Sequence, residues 1–209
     1  MINYNMYNIV LASSSPRRKA LLEQLGLKFE IIPADVEEKF DASCRPEELS
    51  MSFALLKARH VASGLKPDCL VIGADTIVVL EKQPGFDMML GKPADAEDAF
   101  KMLKLLQGRR HRVITGVAVV RTPDGEHELG FEETDVYIRS LSDYDIRRYI
   151  NTGEPMDKAG AYGIQGIGSI LVERIEGCCF NVVGLPLARL DTLFKKFGVD
   201  MLSLRGKYV

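Results

Sequence analysis

Two rhythms of apolar and polar positions run along this chain, a period near 3.6 in some stretches and alternating or continuous apolar runs in others. Ile9 to Ala12 is a short apolar run that stops at Ser13-Ser14-Ser15-Pro16. Ser15 suits a helix N-cap and Pro16 the first helical position, so a helix is predicted from there to about Gly26, with Leu21, Leu22 and Leu25 on its apolar face. Phe29 to Ile32 reads as a strand, and Pro46 to Ser63 as an amphipathic helix with Leu49, Phe53, Leu56 and Val61 near one stripe. Cys69 to Ile72 and Ile77 to Leu80 read as two strands flanking a turn at Gly73-Ala74-Asp75-Thr76, and Glu81 to Leu90 as an exposed loop or turn leading into Gly91-Lys92-Pro93. Ala94 to Leu106 is helical and ends at Gly108.

Further on, Arg112 to Thr122 and Glu126 to Ser140 form a predicted hairpin through Pro123-Asp124-Gly125. Ser142 caps a helix to about Asn151, with Asp145 as an acidic variant of the capping-box Glu or Gln. Gly153 to Gly168 is too irregular for a regular element, Ile170 to Ile175 is a strand, and Leu185 to Phe197 is a final helix. Interleaved strands and helices followed by a long hairpin predict an α/β fold. Its mixed, twisted sheet is flanked by helices and folded into two lobes around a cleft, all within one domain spanning residues 1–209.

Composition narrows the function classes. The 209 residues are 46% hydrophobic and 27% charged, enough apolar material for a core, which excludes a disordered chain or a disulfide-stapled miniprotein. A net charge of −2 argues against a protein that holds nucleic acid mainly through phosphate contacts. Cys44, Cys69, Cys178 and Cys179 make a poor cross-linking framework, and His60, His111 and His127 lack zinc-site spacing. No run approaches the ~18 apolar residues of a membrane span, so a soluble, cytoplasmic protein is expected.

Several segments carry candidate chemistry. Ser13-Ser14-Ser15-Pro16-Arg17-Arg18-Lys19 places hydroxyls and three cations at a helix N-terminus, where unpaired N–H groups already favour an anion; cations there oppose the helix dipole unless an anion joins them. Asp75 lies between core-like runs and is a candidate to bind a divalent cation or accept a proton from water; an Asp in a turn can also simply bond nearby backbone. Glu37-Glu38 offers a second carboxylate, and Lys57 and Lys92 are further cations. Asp157 to Gly166 is rich in Gly and Ala, permitting close backbone approach to a ligand. Its Gln165 carries a donor and an acceptor side by side, matching the O4 and N3–H edge of uracil or thymine, although a flipped amide also suits cytosine. Phosphate anchors, carboxylates and a base-reading amide, without a covalent nucleophile pattern, suit hydrolysis of a nucleotide phosphoanhydride.

Across about Ile9 to Phe197 the chain resembles the Maf family of nucleoside triphosphate pyrophosphatases, also known as septum formation inhibitors. The resemblance rests on Leu11-Ala12-Ser13-Ser14-Ser15-Pro16-Arg17-Arg18, Gly73-Ala74-Asp75-Thr76, Gly91-Lys92-Pro93, Gly184-Leu185-Pro186 and Glu154 to Gly166; the last resembles the dTTP/UTP pyrophosphatase branch. The resemblance implies that Asp75 activates water and touches the metal, with Glu38 helping to hold the cation. It implies that Ser13, Arg17, Arg18, Lys57 and Lys92 bind the triphosphate, and that Arg17, Thr76 and Gln165 set substrate choice. It further implies a Maf/inosine triphosphatase-like fold, a nucleoside triphosphate as substrate, Mg²⁺ or Mn²⁺ as cofactor and a homodimer. No nucleic acid or membrane partner is expected. The alternative reading is a nucleotide-binding regulator of septum formation without significant turnover. Cys178-Cys179 receives no role from the resemblance, and Met1 to Asn8 and Gly198 to Val209 extend past it.

Overall fold

The computed structural model describes residues 7–38, 44–83 and 86–203, so most of the two terminal extensions, residues 1–6 and 204–209, lies outside the described residues. The strands are β1 (Asn8–Leu11), β2 (Glu30–Ile31), β3 (Cys69–Gln83), β4 (Phe86–Leu90), β5 (Arg110–Arg121), β6 (His127–Ile138) and β7 (Val172–Glu176). The helices are α1 (Pro16–Gln24), α2 (Pro46–Ala62), α3 (Ala96–Leu106), α4 (Asp143–Ile150), α5 (Cys179–Val183) and α6 (Leu187–Lys196). The sheet runs β2-β1-β3-β5-β6-β7, with β4 paired to β3. It is mixed: β1 pairs parallel with β2 and β3, whereas β3–β4 and β6–β7 are antiparallel. The expected α/β class and flanked mixed sheet are therefore present.

Two expectations near Asp75 are corrected. Gly73 to Thr76 is no turn: Cys69–Gln83 is one continuous strand. Its residues are buried on both faces through the first half, as the near-continuous apolar run of a central strand requires. The loop or turn expected over Glu81 to Leu90 is strand at its described residues, because Val78 to Gln83 pairs antiparallel with β4; Pro84 and Gly85 lie outside the described residues. The helix α5 was hidden by its length, five residues being too short for a periodic signal. Cys69, Cys178 and Cys179 are free thiols, and no helix among the described residues is long and apolar enough to cross a membrane.

Two compact units divide the chain. The first comprises the residues up to Asp75, Thr115–Glu132 and the chain from Gly184 on. Part of its core is Val10, Val71, Ala118 and Val120 from the strands against Ala54, Ala58 and Val61 of α2. Small residues let α2 approach the sheet closely. A Cβ on Gly73 would stand 2.0 Å from the Ala54 carbonyl oxygen, and one on Gly116 would stand 2.3 Å from the Ser50 carbonyl carbon. The helix backbone thus rests directly on glycines of β3 and β5.

The second unit, Thr76–Ile114 with Glu133–Val183, is built around a stripe of α3. Ala99, Met102, Leu103 and Leu106 at helical spacing meet Ile146 and Ile150 of α4 and Val136 and Ile138 of β6. Helix α4 begins with the expected Ser142–Asp145 capping box. His111 is 1% exposed, with Nε2 2.7 Å from the Tyr162 hydroxyl. Burial lowers its pKa from 6.5 to about 4. The folded value lies below the unfolded one, so the unfolded chain takes up the proton first and acid disfavours folding. Stability from this group is complete above about pH 6.5 and drains as the pH falls towards 4, about 3 kcal/mol in all. Urea unfolding between pH 7 and 4 should therefore show a shallower pH slope for His111→Gln than for the wild type. Identical slopes would remove His111 from this role.

Candidate functional site

The strand-to-helix turn after β1 is held by its own hydroxyls. Ser15 caps α1, and the Ser13 hydroxyl accepts the Ser15 N–H at 3.2 Å and Arg18 Nη1 at 3.3 Å. Arg18 also donates from Nε to the Gly184 carbonyl at 2.9 Å. The guanidinium is thereby fixed in direction by Ser13 close by and by Gly184, which lies 166 positions beyond Arg18. The first turn of α1 holds no acidic residue and three basic ones, Arg17, Arg18 and Lys19, at the end of the helix dipole that favours an anion. Burial lowers the Arg18 pKa, opposed by Asp75 and Glu38, while Arg17 adds to the lowering. An arginine nonetheless stays protonated in a protein, so this is a half-buried permanent cation.

The second cluster follows from how α2 lies on β3. Side chains alternate along a strand, so Asp75 shares a face with Gly73, the residue against which Ala54 and Ala58 pack. Lys57, one turn beyond Ala54 on the same helix, is then carried to Asp75: Nζ to Oδ1 is 2.5 Å. The same ammonium lies 2.6 Å from Oε1 of Glu38, which approaches from the irregular stretch after β2. Lys57 and Asp75 side chains are 14% and 13% exposed, and Glu38 is 41% exposed. Burial pushes the Asp75 carboxyl above its ordinary range; Lys57, by charge and hydrogen bond, and Arg18 oppose that rise, and Glu38 adds to it. The result is a carboxylate of raised basicity kept next to two cations.

Six of the residues singled out in the sequence therefore fall in one unit: Ser13, Arg17, Arg18, Glu38, Lys57 and Asp75. Within it, contacts join Ser13 to Arg18 and Glu38 and Asp75 to Lys57. Thr76, Lys92 and Gln165 belong to the other unit. Thr76 is half-buried in β3, Lys92 is exposed just after β4, and Gln165 is exposed before a 3₁₀ turn at Gly166–Leu171. The Gly184 carbonyl that anchors Arg18 was not anticipated as a partner. The Gly73-x-Asp75 spacing carries a signal only that a helix backbone can come close on that strand face, not which side chain it brings.

Across residues 8–197 the sequence matches the profile of the Maf-like proteins. The chain belongs to the Maf-like protein family. Among its relatives, the dTTP/UTP pyrophosphatase of Thermoanaerobacter pseudethanolicus is 53% identical over 195 residues, covering 93% of this chain and 99% of the relative. That of Caldanaerobacter subterraneus subsp. tengcongensis is 52% identical over 201 residues, covering 96% and 94%. That of Acetivibrio thermocellus is 50% identical over 204 residues, covering 95% and 99%. A solved HAM1 protein from Coxiella burnetii superposes with a TM-score of 0.50 at 17% identity over 96% of this chain and 94% of the other, a likeness of fold alone.

Whether a divalent ion fits this Maf-like chain can be judged from its donors. Among the described residues no group of three or more His, Cys, Asp and Glu side chains could hold a metal ion. Glu38 and Asp75, however, already converge on one cation, the Lys57 ammonium. Two carboxylates completed by water and phosphate oxygens are the usual ligand set for Mg²⁺, which rarely takes an all-protein cage. The residues fit such an ion.

Proposed function

We propose that this Maf-like chain, acting as one catalytic domain, hydrolyses dTTP and UTP to the nucleoside monophosphate and pyrophosphate, with Asp75 as the base that activates water. The observation that carries the reading is the Glu38–Lys57–Asp75 cluster, a basic carboxylate held against cations in the same unit as the Arg18 anchor. The relatives that share about half of its residues over nearly their whole length bear the name dTTP/UTP pyrophosphatase. In this reading Asp75 takes a proton from water as the oxygen bonds to the α-phosphorus, the bond from that phosphorus to the bridging oxygen breaks, and pyrophosphate leaves. A raised pKa makes a carboxylate a stronger proton acceptor, and Lys57 and Arg18 keep it ionised beforehand.

Arg17, Arg18 and Lys92 would offset the triphosphate charge, Ser13 would donate its hydroxyl proton, and Thr76 and Gln165 would contact the nucleoside. Lys57 has three N–H donors, of which two are directed at carboxylates among the described residues. The third can serve a phosphate oxygen. Glu38 and Asp75 would hold Mg²⁺ or Mn²⁺, which when bound draws charge from the phosphates. We further expect a homodimer in the cytoplasm, without nucleic acid or membrane partners. Pyrophosphate release from a panel of ordinary and modified nucleoside triphosphates, with Mg²⁺, with Mn²⁺ and with excess chelator, tests the reading. Release from dTTP and UTP that chelator abolishes is expected. Binding of these nucleotides without release would instead make the chain a regulatory nucleotide binder.

A further inference from the structure

One carboxylate closes residues 154–168 into a loop. Glu154 opens the segment in a 3₁₀ turn, Glu154–Asp157, and its side chain reaches the far end. Oε2 accepts the Ile167 N–H at 2.8 Å, and Oε1 accepts the Gly168 N–H at 2.9 Å and the Tyr149 hydroxyl at 3.0 Å. The Glu154 carbonyl in turn accepts Lys158 Nζ at 2.5 Å. Three glycines make this closure possible. A Cβ on Gly163 would meet Lys158 Cε at 2.9 Å, and one on Gly166, where φ is +67°, would meet Glu154 Oε2 at 2.7 Å. A Cβ on Gly168 would stand 2.4 Å from the Gly163 carbonyl oxygen and 2.6 Å from the Tyr149 hydroxyl. Burial alone would raise the Glu154 pKa, but the hydrogen bonds from Gly168, Ile167 and Tyr149 and the Lys158 charge outweigh it and hold the carboxyl low. The clamp is ionised at neutral pH.

Gln165 sits between the two points so held. On one side Gly163 lies under the Lys158 stem, itself tied to Glu154; on the other Gly166 lies against the Glu154 carboxylate. The exposed amide is presented from backbone fixed on both flanks. A side chain that reads a base by two hydrogen bonds needs such fixing, because an amide free to wander pairs with many partners equally.

We infer that Glu154 is the positioning residue for Gln165, and that through it the clamp sets the base selectivity of the nucleotide site without touching the triphosphate. The inference rests on the proposed role of Gln165 towards the base, and the test separates the two. The readout is the ratio of kcat/KM for UTP to that for each other ribonucleoside triphosphate, in the wild type, Gln165→Ala, Glu154→Gln, Tyr149→Phe and the Glu154→Gln/Gln165→Ala double variant. Glu154→Gln keeps the shape but turns an NH₂ group towards a donor. It should lower the ratio about tenfold through KM, with kcat for UTP changed less than about twofold. Exchange of the Ile167 and Gly168 amides should quicken, and Tyr149→Phe should move the ratio the same way by less. In the double variant, Glu154→Gln should add nothing to the selectivity already lost.

A wild-type ratio in Gln165→Ala would overturn the base-reading role and this inference with it. A changed ratio in Gln165→Ala with a wild-type ratio in Glu154→Gln would overturn the positioning role and leave the base-reading role standing. Uniform loss across nucleotides through kcat, or loss of folded protein in both clamp variants, would make Glu154 a structural residue and likewise overturn it.

Discussion

Asp75→Asn should cut dTTP and UTP turnover at least about a hundredfold, the usual lower bound for losing a positioned base. The amide is the same size as the carboxylate and still accepts the Lys57 hydrogen bond at 2.5 Å, so packing around β3 has no reason to change. It cannot accept a proton from water. Lys57 keeps Glu38 as a charged partner, which prevents an isolated buried cation, the usual cause of collapse when one member of a buried pair is removed. Circular dichroism and thermal unfolding should therefore match the wild type, and equilibrium dialysis should still detect bound dTTP. Turnover within a few fold of wild type would remove Asp75 from the mechanism, whatever the substrate proves to be.

The second large effect is on stability. Gly73→Ala puts a methyl group 2.0 Å from the Ala54 carbonyl oxygen and 3.0 Å from the Ala58 nitrogen, both backbone atoms of α2. Neither can rotate aside, so the helix has to lift from the sheet. Overpacking of this kind costs about 1–3 kcal/mol, and a contact with backbone on both sides belongs at the upper end. The same movement carries Lys57 away from Asp75, so activity should fall even where the variant remains folded. Gly64→Ala is the matching control: its new Cβ would find only the Val61 carbonyl oxygen, at 3.9 Å, and its unfolding midpoint should stay the same or rise slightly. A Gly73→Ala variant as stable as this control would show that α2 rests less firmly on the strand than the geometry requires.

How much of this was legible in the sequence depends on the range of the signal. Caps are local, so Ser15 with Pro16 and Ser142 with Asp145 mark the starts of α1 and α4 where the structure has them. The helices α2 and α3 are long enough to be read, but Leu56, expected near the α2 stripe with Leu49, Phe53 and Val61, is 41% exposed, and it is the next residue, Lys57, that α2 turns towards Asp75. The turn expected at Gly73 to Thr76 failed because glycine and aspartate are ordinary turn residues, and what keeps them in a strand is a helix packed against Gly73 from elsewhere in the chain. The loop or turn expected at Glu81 to Leu90 failed similarly, since the pairing of Val78 to Gln83 with β4 depends on partners and not on local polarity. Of the site, residue types were readable and contacts were not. Glu38 and Lys57 were individually unremarkable charges, and their meeting at Asp75 joins segments 19 and 18 residues apart through packing that no short window contains. The Glu154 clamp was invisible because two of its three partners are backbone N–H groups, which every residue but proline supplies.

That Asp75 rides on a continuous strand also limits how this stretch of chain can vary in length. A loop could absorb an extra residue by bulging outward. In β3, an insertion or deletion of one residue between Gly73 and Asp75 inverts the parity of everything after it, turning the carboxylate to the opposite face, away from Lys57. The glycine seat and the carboxylate thus form a unit of fixed spacing, in which the count of residues matters as much as their identity.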